Sequence, residues 1–253
     1  MLTSKDSYFV DVRLNRDKLD DAKAKGNHTE DCVEWAFAGR SHSKPRGGQA
    51  EGTIKLSHTV WDHWIDSKSN DPGIDEGDMC VQEDGDVLER GKSKDAVTGR
   101  EIEYEELWHD LEVVPLGKKH NRSSLVLRAD DPDKNLRGMA VKVGGWCQAI
   151  LKVEDALTVE RWEWKPAAST ESEDLAENDK AGKRTHNDWV RTFRVGEGTL
   201  PCEYMCSNTV GKIGLNAVLR YSAERDEFGT YKPHNDCDRD IESGWRVLEE
   251  YYW

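Results

Sequence analysis

The residues of this chain best suited to acid–base chemistry lie in one segment, Gly52–Ser67, which reads GTIKLSHTVWDHWIDS. Its alternating pattern predicts a strand with one set of side chains facing inward: Ile54, Leu56, His58, Val60, Asp62, Trp64 and Asp66. Aromatic surroundings raise the pKa of a carboxyl group, and a nearby histidine can exchange its proton. If the protein is an enzyme, the catalytic candidates are therefore His58, Asp62 and Asp66.

A second interpretation of this strand stays open. A bulge or bend near Thr59 would exchange the two faces and turn both aspartates toward water. The distinction matters because a buried polar group without a partner costs about 1–3 kcal/mol.

Aromatic and polar side chains together also predict a ligand pocket. A small β-barrel can be filled by its own side chains or can hold one small ligand. The predicted pocket residues are Trp35, Phe37, His58, Asp62, Trp64, Asp66, Trp146, Gln148, Trp162 and Trp164. The competing interpretation is that the aromatic residues only fill the core.

The sequence predicts neither a metal site nor a cofactor. Cys202, Cys206, His234 and Cys237 supply four possible zinc ligands, but their spacing does not fit the short paired spacings of structural zinc sites. No complete dinucleotide-binding, phosphate-binding or serine-hydrolase motif occurs.

Composition narrows the class of protein. The 253 residues are 36% hydrophobic and 34% charged, so the ten tryptophans must supply much of the buried surface. The net charge of -14 argues against a nucleic-acid partner. No apolar run approaches the roughly 18 residues of a membrane span, and the first residues do not resemble a signal peptide. We therefore expect a protein that is neither in a membrane nor secreted, with its six cysteines reduced.

Strand patterns and turn residues recur along most of the chain and predict an all-β fold. We expect one short helix around Tyr104–Leu111, an irregular segment over Asn15–Asp31 and a polar surface loop over Pro166–Lys183. The order of tryptophans in the first half (Trp35, Trp61, Trp64) is echoed in the second (Trp146, Trp162, Trp164). This echo predicts two related antiparallel β-barrel domains, 1–119 and 120–253.

Five segments in chain order resemble the fungal HRI family: EWAFAG (34–39), WDHWIDS (61–67), YEELW (104–108), GGWCQAIL (144–151) and GWRVLEEY (244–251). The family is named for interaction with a yeast kinase of the casein kinase 1 type. The resemblance implies two lipocalin-like barrels with one or two short helices, a cytoplasmic location with the nucleus as a second one, and a protein partner of that kinase type. It implies no catalytic residues.

Three classes of function stay open. The first is a non-catalytic protein that binds a small apolar ligand or a protein partner, and the absence of a catalytic motif favours it. The second is a cofactor-free enzyme of fungal small-molecule metabolism, such as a cyclase, isomerase or pericyclase, that folds its substrate in a barrel. The third is an interaction scaffold with filled barrels.

Overall fold

The protein is mostly β-structure, arranged in two antiparallel sheets. The computed structural model describes residues 1–25, 28–46, 56–94, 98–113, 116, 122–165, 189–206, 218–225, 231–234 and 244–253. Two α-helices occur in these ranges: α1 (Arg16–Lys25) and α2 (Cys202–Met205). The predicted all-β class with one or two short helices is confirmed.

The first half of the chain forms a seven-stranded sheet in which each strand pairs with the next along the sequence. Its strands are β1 (Leu2–Thr3), β2 (Tyr8–Leu14), β3 (Val33–Pro45), β4 (Leu56–Asp66), β5 (Ile74–Val81), β6 (Val87–Lys94) and β7 (Glu101–Trp108).

The second half forms an eight-stranded sheet with the order β12-β11-β10-β9-β8-β15-β13-β14. Its strands are β8 (Ser123–Asp131), β9 (Leu136–Val143), β10 (Trp146–Val153), β11 (Ala156–Trp164), β12 (Trp189–Val195), β13 (Val218–Arg225), β14 (Tyr231–His234) and β15 (Trp245–Tyr252). The last strand, β15, lies between β8 and β13.

Neither sheet pairs its first strand with its last within the described residues. In the seven-stranded sheet β1 is only two residues long and reaches Phe9 and Val10 of β2. The rest of β2, from Asp11 to Leu14, therefore has no strand on its outer side in the described part of the chain. This leaves a gap between the uncovered part of β2 and β7, the strand at the other end of the sheet.

Three clusters of buried apolar side chains hold the described residues together. One fills the inner face of the eight-stranded sheet under α2 and includes Trp162, Trp189 and Trp245. A second lies on the inner face of the seven-stranded sheet and consists of Phe9, Phe37 and Trp61, with Trp35 and Met79 against them. The third, which we call the shared cluster, joins the sheets through residues such as Val10, Ala38, Ile65, Val126, Val141 and Ile150.

Polar contacts reinforce this junction between the sheets. The buried carboxylate of Glu249 on β15 accepts hydrogen bonds from Ser4 Oγ at 2.6 Å and from the Asp6 backbone N–H at 3.0 Å. Lys152 Nζ donates to the carbonyl oxygen of Asp66 at 2.8 Å, and Arg137 donates to that of Trp64 at 3.0 Å. The two sheets therefore share both apolar and hydrogen-bonded contacts.

Two elements differ from the sequence prediction. The segment expected to be irregular contains α1, whose start is capped because Asn15 Oδ1 accepts from the Lys18 N–H at 3.1 Å. The helix expected around Tyr104 is wrong, since these residues form β7. Tyr104 and Trp108 are one helical turn apart, but with Glu106 they also alternate along one face of a strand.

No helix in the described part of the chain is long and apolar enough to cross a membrane. The boundary that we expected near residue 119 and the polar segment Pro166–Lys183 lie outside the described residues.

Candidate functional site

A β-bulge in β4 decides which polar residues reach the interior of the seven-stranded sheet. The pairing of β3 with β4 slips between Ala38 and Gly39, so Trp64 has no partner of its own. The backbones approach closely here: a Cβ atom at Gly39 would lie 1.8 Å from the carbonyl oxygen of Asp62. The bulge breaks the alternation, so His63 and Asp66 are both buried whereas Asp62 is exposed.

The inward face predicted for this strand is therefore wrong. The buried side chains before the bulge are Thr59, Trp61 and His63, on the opposite face. His58 is half-buried and its Nδ1 lies 2.8 Å from Asp78 Oδ1, and Trp64 packs under the Arg128 guanidinium at 3.6 Å. A bulge was the open alternative, but it occurs at Trp64 rather than near Thr59, and it turns only Asp62 toward water.

The residues predicted to form one pocket lie on two different sheets. Trp35, Phe37 and Asp66 meet in the seven-stranded sheet, where Trp35 Nε1 donates to Asp66 Oδ1 at 2.9 Å. Trp146, Gln148, Trp162 and Trp164 lie on β10 and β11 of the other sheet. Trp162 belongs to that sheet's apolar core, and Gln148 accepts a hydrogen bond from Arg161. A pocket role for either group stays a prediction.

The inner face of the seven-stranded sheet contains a small cleft, which we call the seam cleft. Its enclosed space is about 10 Å³, room for one water-sized group, and about 190 Å³ of free space includes its open mouth. It opens beside the part of β2 that β1 leaves uncovered. Its walls combine aromatic rings, carboxyl groups and two cationic groups: Met1, Asp11, Arg13, Phe37, Trp61, Asp75, Glu89 and Trp108. This combination of an apolar body and a few polar groups is typical of small-ligand sites.

Glu89 is the most deeply buried acid of the seam cleft, with 2% of its surface exposed. Trp108 Nε1 donates to its Oε2 at 2.7 Å, and Tyr104 Oη lies 2.9 Å from its Oε1. Burial raises the pKa of Glu89, and the hydrogen bonds from Tyr104 and Trp108 only partly oppose this effect. The nearby acids Glu106 and Asp75 raise that pKa further.

Two paired glycines make room for this arrangement. Gly77 on β5 and Gly91 on β6 are direct partners in the sheet. A Cβ atom at Gly77 would lie 2.7 Å from Glu89 Cγ, and one at Gly91 would lie 2.3 Å from Tyr104 Oη. Both distances are shorter than ordinary Cβ contacts, so a larger residue at either position would force the Glu89 or Tyr104 side chain to move.

The cationic groups of the seam cleft already have acidic partners. Asp11 is 3% exposed and lies 3.1 Å from Arg13 Nε and 3.4 Å from the Met1 ammonium. Arg13 also pairs with Glu106 of β7. These contacts link β1 and β2 to the last strand of the sheet across the opening.

His63 lies behind the cleft, stacked on the Phe37 ring with 4.3 Å between ring centroids. Its Nδ1 is 3.4 Å from Asp66 Oδ2, and its buried Nε2 has no hydrogen-bond partner among the residues that the structure describes. Burial raises the pKa of Asp66, but hydrogen bonds from His63 and Trp35 outweigh it and leave that pKa below its usual range. An ionised Asp66 only accepts, so it favours the tautomer with hydrogen on Nδ1 and a free lone pair on Nε2.

Sequence reasoning missed most of this site. Asp11, His63, Glu89, Tyr104 and Trp108 were not among the predicted residues. The alternation of Tyr104, Glu106 and Trp108 along YEELW was the available signal, because it places three polar or aromatic groups on one face of a strand. The burial of Glu89 had no comparable signal, because β6 (VLERGKSK) shows no regular alternation of apolar and polar residues around it.

The described residues contain no cluster of three or more histidine, cysteine or acidic side chains arranged to hold a metal. Cys202 of α2 and Cys206, the residue directly after that helix, are buried free thiols beside Cys147 of β10. The side chain of His234 and all of Cys237 lie outside the described part.

Together these features define an antiparallel β protein with two sheets and a small aromatic and acidic cleft on one of them. The family model "Protein HRI1" matches residues 1–219, and the chain belongs to the HRI1 family. The family resemblance identified from the sequence is thereby confirmed.

Individual relatives agree with this assignment. Protein HRI1 of Saccharomyces cerevisiae strain S288c is 26% identical over 179 residues, which cover 62% of this chain and 67% of that protein. The same protein from strain YJM789 gives the same figures. The crystal structure of the uncharacterized protein YLR301w from S. cerevisiae superposes with a TM-score of 0.55, covering 98% of this chain and 89% of that chain at 18% identity. At this identity the likeness concerns the fold.

Proposed function

We propose that this protein is a non-catalytic binding protein whose ligand places a small polar group in the seam cleft and an apolar, aromatic-sized body over its mouth. The observation that carries the proposal is the lining of the cleft, where the rings of Phe37, Trp61 and Trp108 face the carboxyl groups of Asp11, Asp75 and Glu89. Aromatic walls supply apolar contact area, and the few polar groups orient the ligand.

Several broader features belong to the same proposal. We propose that residues 1–119 and 120–253 are lipocalin-like barrel domains and that the protein acts in the cytoplasm, with the nucleus as a second location. A protein partner, a kinase of the casein kinase 1 type, is proposed from the family resemblance. Opposing edges of the seven-stranded sheet support barrel closure, since Arg13 of β2 reaches Glu106 of β7.

Three phenyl probes of one size test ligand binding: 2-phenylethanol, phenethylammonium and phenylacetate. Binding is followed by the two-dimensional NMR signals of the tryptophan indole N–H groups. We expect at least one probe to shift the Trp61 and Trp108 signals in a saturable way. If none of the three does so, the proposed function is wrong.

A matched pair of variants locates the binding. Trp61→Phe removes part of a cleft wall and should weaken binding by roughly three- to tenfold, since it removes contact area with the ligand. Trp64→Phe changes a tryptophan of the same strand that lies on the other face and should leave affinity unchanged. Equal effects of the two substitutions would place the ligand elsewhere.

The unpartnered Nε2 of His63 supports a second candidate function, a cofactor-free acid–base enzyme. A buried imidazole with a carboxylate on Nδ1 and a free lone pair on Nε2 is arranged as a general base. This candidate replaces the predicted set of His58, Asp62 and Asp66, of which only Asp66 lies near it.

A generic proton-abstraction probe tests the second candidate. 5-Nitrobenzisoxazole loses its C–H proton to a base while its N–O bond breaks, which releases a coloured phenolate. Wild type should accelerate this reaction over the same concentration of free imidazole, and His63→Gln should lose the excess rate while His58→Gln keeps it. Equal rates for wild type and His63→Gln would contradict a catalytic role.

A further inference from the structure

We propose that the ligand of the seam cleft is an organic cation, a primary ammonium group on an apolar body, and that its binding releases the proton held between Glu89, Tyr104 and Asp75. The proposal rests on the proposed binding function and adds the chemical class of the ligand. Three observations carry it: the hydrogens available to these groups, the charges around them and the space between them.

The hydrogens come first. Tyr104 Oη lies 2.9 Å from Glu89 Oε1 and 3.0 Å from Asp75 Oδ1. A phenol has one hydrogen and can donate it to only one of these two oxygens. The other contact also needs a hydrogen, because two oxygen lone pairs at that distance repel. One of the two carboxyl groups must therefore be protonated, and the deeply buried Glu89 is the one whose ionisation costs more.

The charges show what is missing. The titratable and charged groups that face Glu89 come from three directions and are Asp75 of β5, Tyr104 and Glu106 of β7, and Met1, Asp11 and Arg13 beside β2. Arg13 lies between Asp11 and Glu106, and the Met1 ammonium contacts Asp11. No described cationic group contacts Glu89 or Asp75, so this acidic pair is neutralised by a proton instead of a cation.

The space around the pair suits an ammonium group. Trp61 and Trp108 line the same cleft, and the faces of tryptophan rings attract cations. An ammonium group has three N–H donors and no acceptor, which complements carboxylate oxygens that lack donors. A carboxylate or phosphate ligand would meet Asp11, Asp75 and Glu89 as like charges.

The proton balance of the exchange is simple. The Glu89 carboxyl O–H bond breaks and its proton passes to solvent, while no other covalent bond changes. Tyr104 then donates to one carboxylate, and its contact with the other opens so that the ammonium group can donate to that carboxylate instead. A cation stabilises the ionised form of Glu89, so the affinity should rise with pH until Glu89 is already ionised in the free protein.

The test compares the three isosteric probes by calorimetry. Burial raises the pKa of Glu89 above that of an ordinary glutamate, so the titration is run at several pH values across the range in which carboxyl groups ionise. Acetate and piperazine buffers have different heats of ionisation, so a difference in observed heat measures the protons released. We expect phenethylammonium to bind about tenfold more tightly than 2-phenylethanol, because a hydrogen bond between two charged groups contributes more binding free energy than one to a hydroxyl group. We also expect its binding to release close to one proton.

Variants decide whether Glu89 is the source. Glu89→Gln keeps the side-chain shape and should abolish both proton release and the preference for the ammonium probe, while 2-phenylethanol still binds. Asp75→Asn, at a half-buried position that tolerates change more easily, should also reduce the preference. Glu105→Gln, on the outer face of β7, is the matched control and should behave as wild type.

The outcomes separate the two proposals. If 2-phenylethanol shifts the cleft signals as strongly as the ammonium probe, or if no proton is released at any pH of the series, the cation inference is wrong and the binding function stands. If none of the probes binds, both are wrong.

Discussion

In β4, one backbone irregularity determines which polar side chains are buried and which are exposed to water. Asp62 and Asp66 share a strand, and regular alternation would place them on one face. The bulge at Trp64 separates them, so Asp62 is exposed while Asp66 is buried against Trp35 and His63. The chemical role of each aspartate therefore follows from a feature of the strand and not from its residue type.

Trp61 and Asp62 are adjacent residues with opposite expected effects on stability. Trp61 is 5% exposed in the aromatic cluster, so Trp61→Ala should cost about 3–5 kcal/mol of the free energy of unfolding. Asp62→Asn should change it by less than about 0.5 kcal/mol because the side chain is exposed. Urea unfolding of both variants measures this, and a large loss for Asp62→Asn would contradict the placement of β4.

Asp66 should make stability depend on pH. Its carboxylate accepts hydrogen bonds from Trp35 Nε1 and the Lys68 N–H, and Asp66→Asn should cost about 1–3 kcal/mol at neutral pH. The pKa of Asp66 is lowered in the folded state. Its contribution is therefore present above the unfolded-state pKa of about 3.9 and is lost as the pH falls through the folded-state value.

Unfolding curves of wild type and Asp66→Asn at several pH values test this dependence. The gap in stability between them should be full at neutral pH and should narrow in acid. A gap that stays constant from neutral pH to about pH 3 would show that ionisation of Asp66 contributes nothing.

The sequence predicts part of this residue-scale picture. Trp35, Phe37 and Asp66 were expected near one another because each lies on an alternating strand, and the structure brings them together. The pairing of His63 with Asp66 could not be predicted, because it depends on a bulge set by the close approach of Gly39. Alternation gives the faces of a regular strand, but it does not locate the residue at which regularity ends.

At the scale of elements, the facing glycines of β5 and β6 explain why polar groups can lie inside the sheet. Gly77 and Gly91 leave a hollow in the pleated surface, which the Glu89 carboxyl and the Tyr104 ring fill. In the sequence, each of these glycines considered separately predicts only a weaker strand. Their joint role becomes visible only in the structure, where the strand register places them opposite each other.

Gly91→Ala should displace Tyr104. The added methyl group would lie 2.3 Å from Tyr104 Cζ, and such overpacking costs about 1–3 kcal/mol. Gly73→Ala is the control, because a Cβ there meets nothing within 4 Å. Thermal unfolding measures the stability, and the chemical shift of the Tyr104 ring measures the displacement. An unchanged tyrosine signal in Gly91→Ala would contradict the packing of this ring.

The predicted helix around Tyr104 failed for a related reason. A spacing of four residues between Tyr104 and Trp108 fits both a helical turn and one face of a strand. Pairing with β6 along its whole length selects the strand, and it turns Glu106 toward Arg13. Period alone does not separate the two structures in a short segment.

At the scale of the whole molecule, the shared cluster joins the two halves. Val10, Ala38 and Ile65 of the first sheet pack with Val126, Val141 and Ile150 of the second. Ser4 and Glu249 add a buried hydrogen bond between distant parts of the chain. The strand patterns predicted the two sheets, but they do not show which faces of the sheets meet. A strand face has the same apolar pattern whether it is covered by another sheet or by the core of its own sheet.

The shared cluster predicts that both sheets unfold together. Fluorescence of the tryptophans and near-ultraviolet circular dichroism should give coincident transitions with urea. Separate chains of residues 1–119 and 120–253 should expose the apolar surface of the cluster and associate or aggregate. Two separable transitions in the full chain, or two soluble monomeric halves, would show that the halves are independent.

Strands β2 and β3 leave very few positions free to change. Phe9 and Phe37 belong to the aromatic cluster inside the seven-stranded sheet, whereas their neighbours Val10 and Ala38 belong to the shared cluster, so consecutive residues are all buried. Over evolutionary time these two strands should therefore diverge more slowly than β6 and β7, whose outer residues meet water. Changes at Val10 should be accompanied by compensating changes in the second sheet. The evolution of the strands that carry the seam cleft is therefore coupled to a sheet that does not line the cleft.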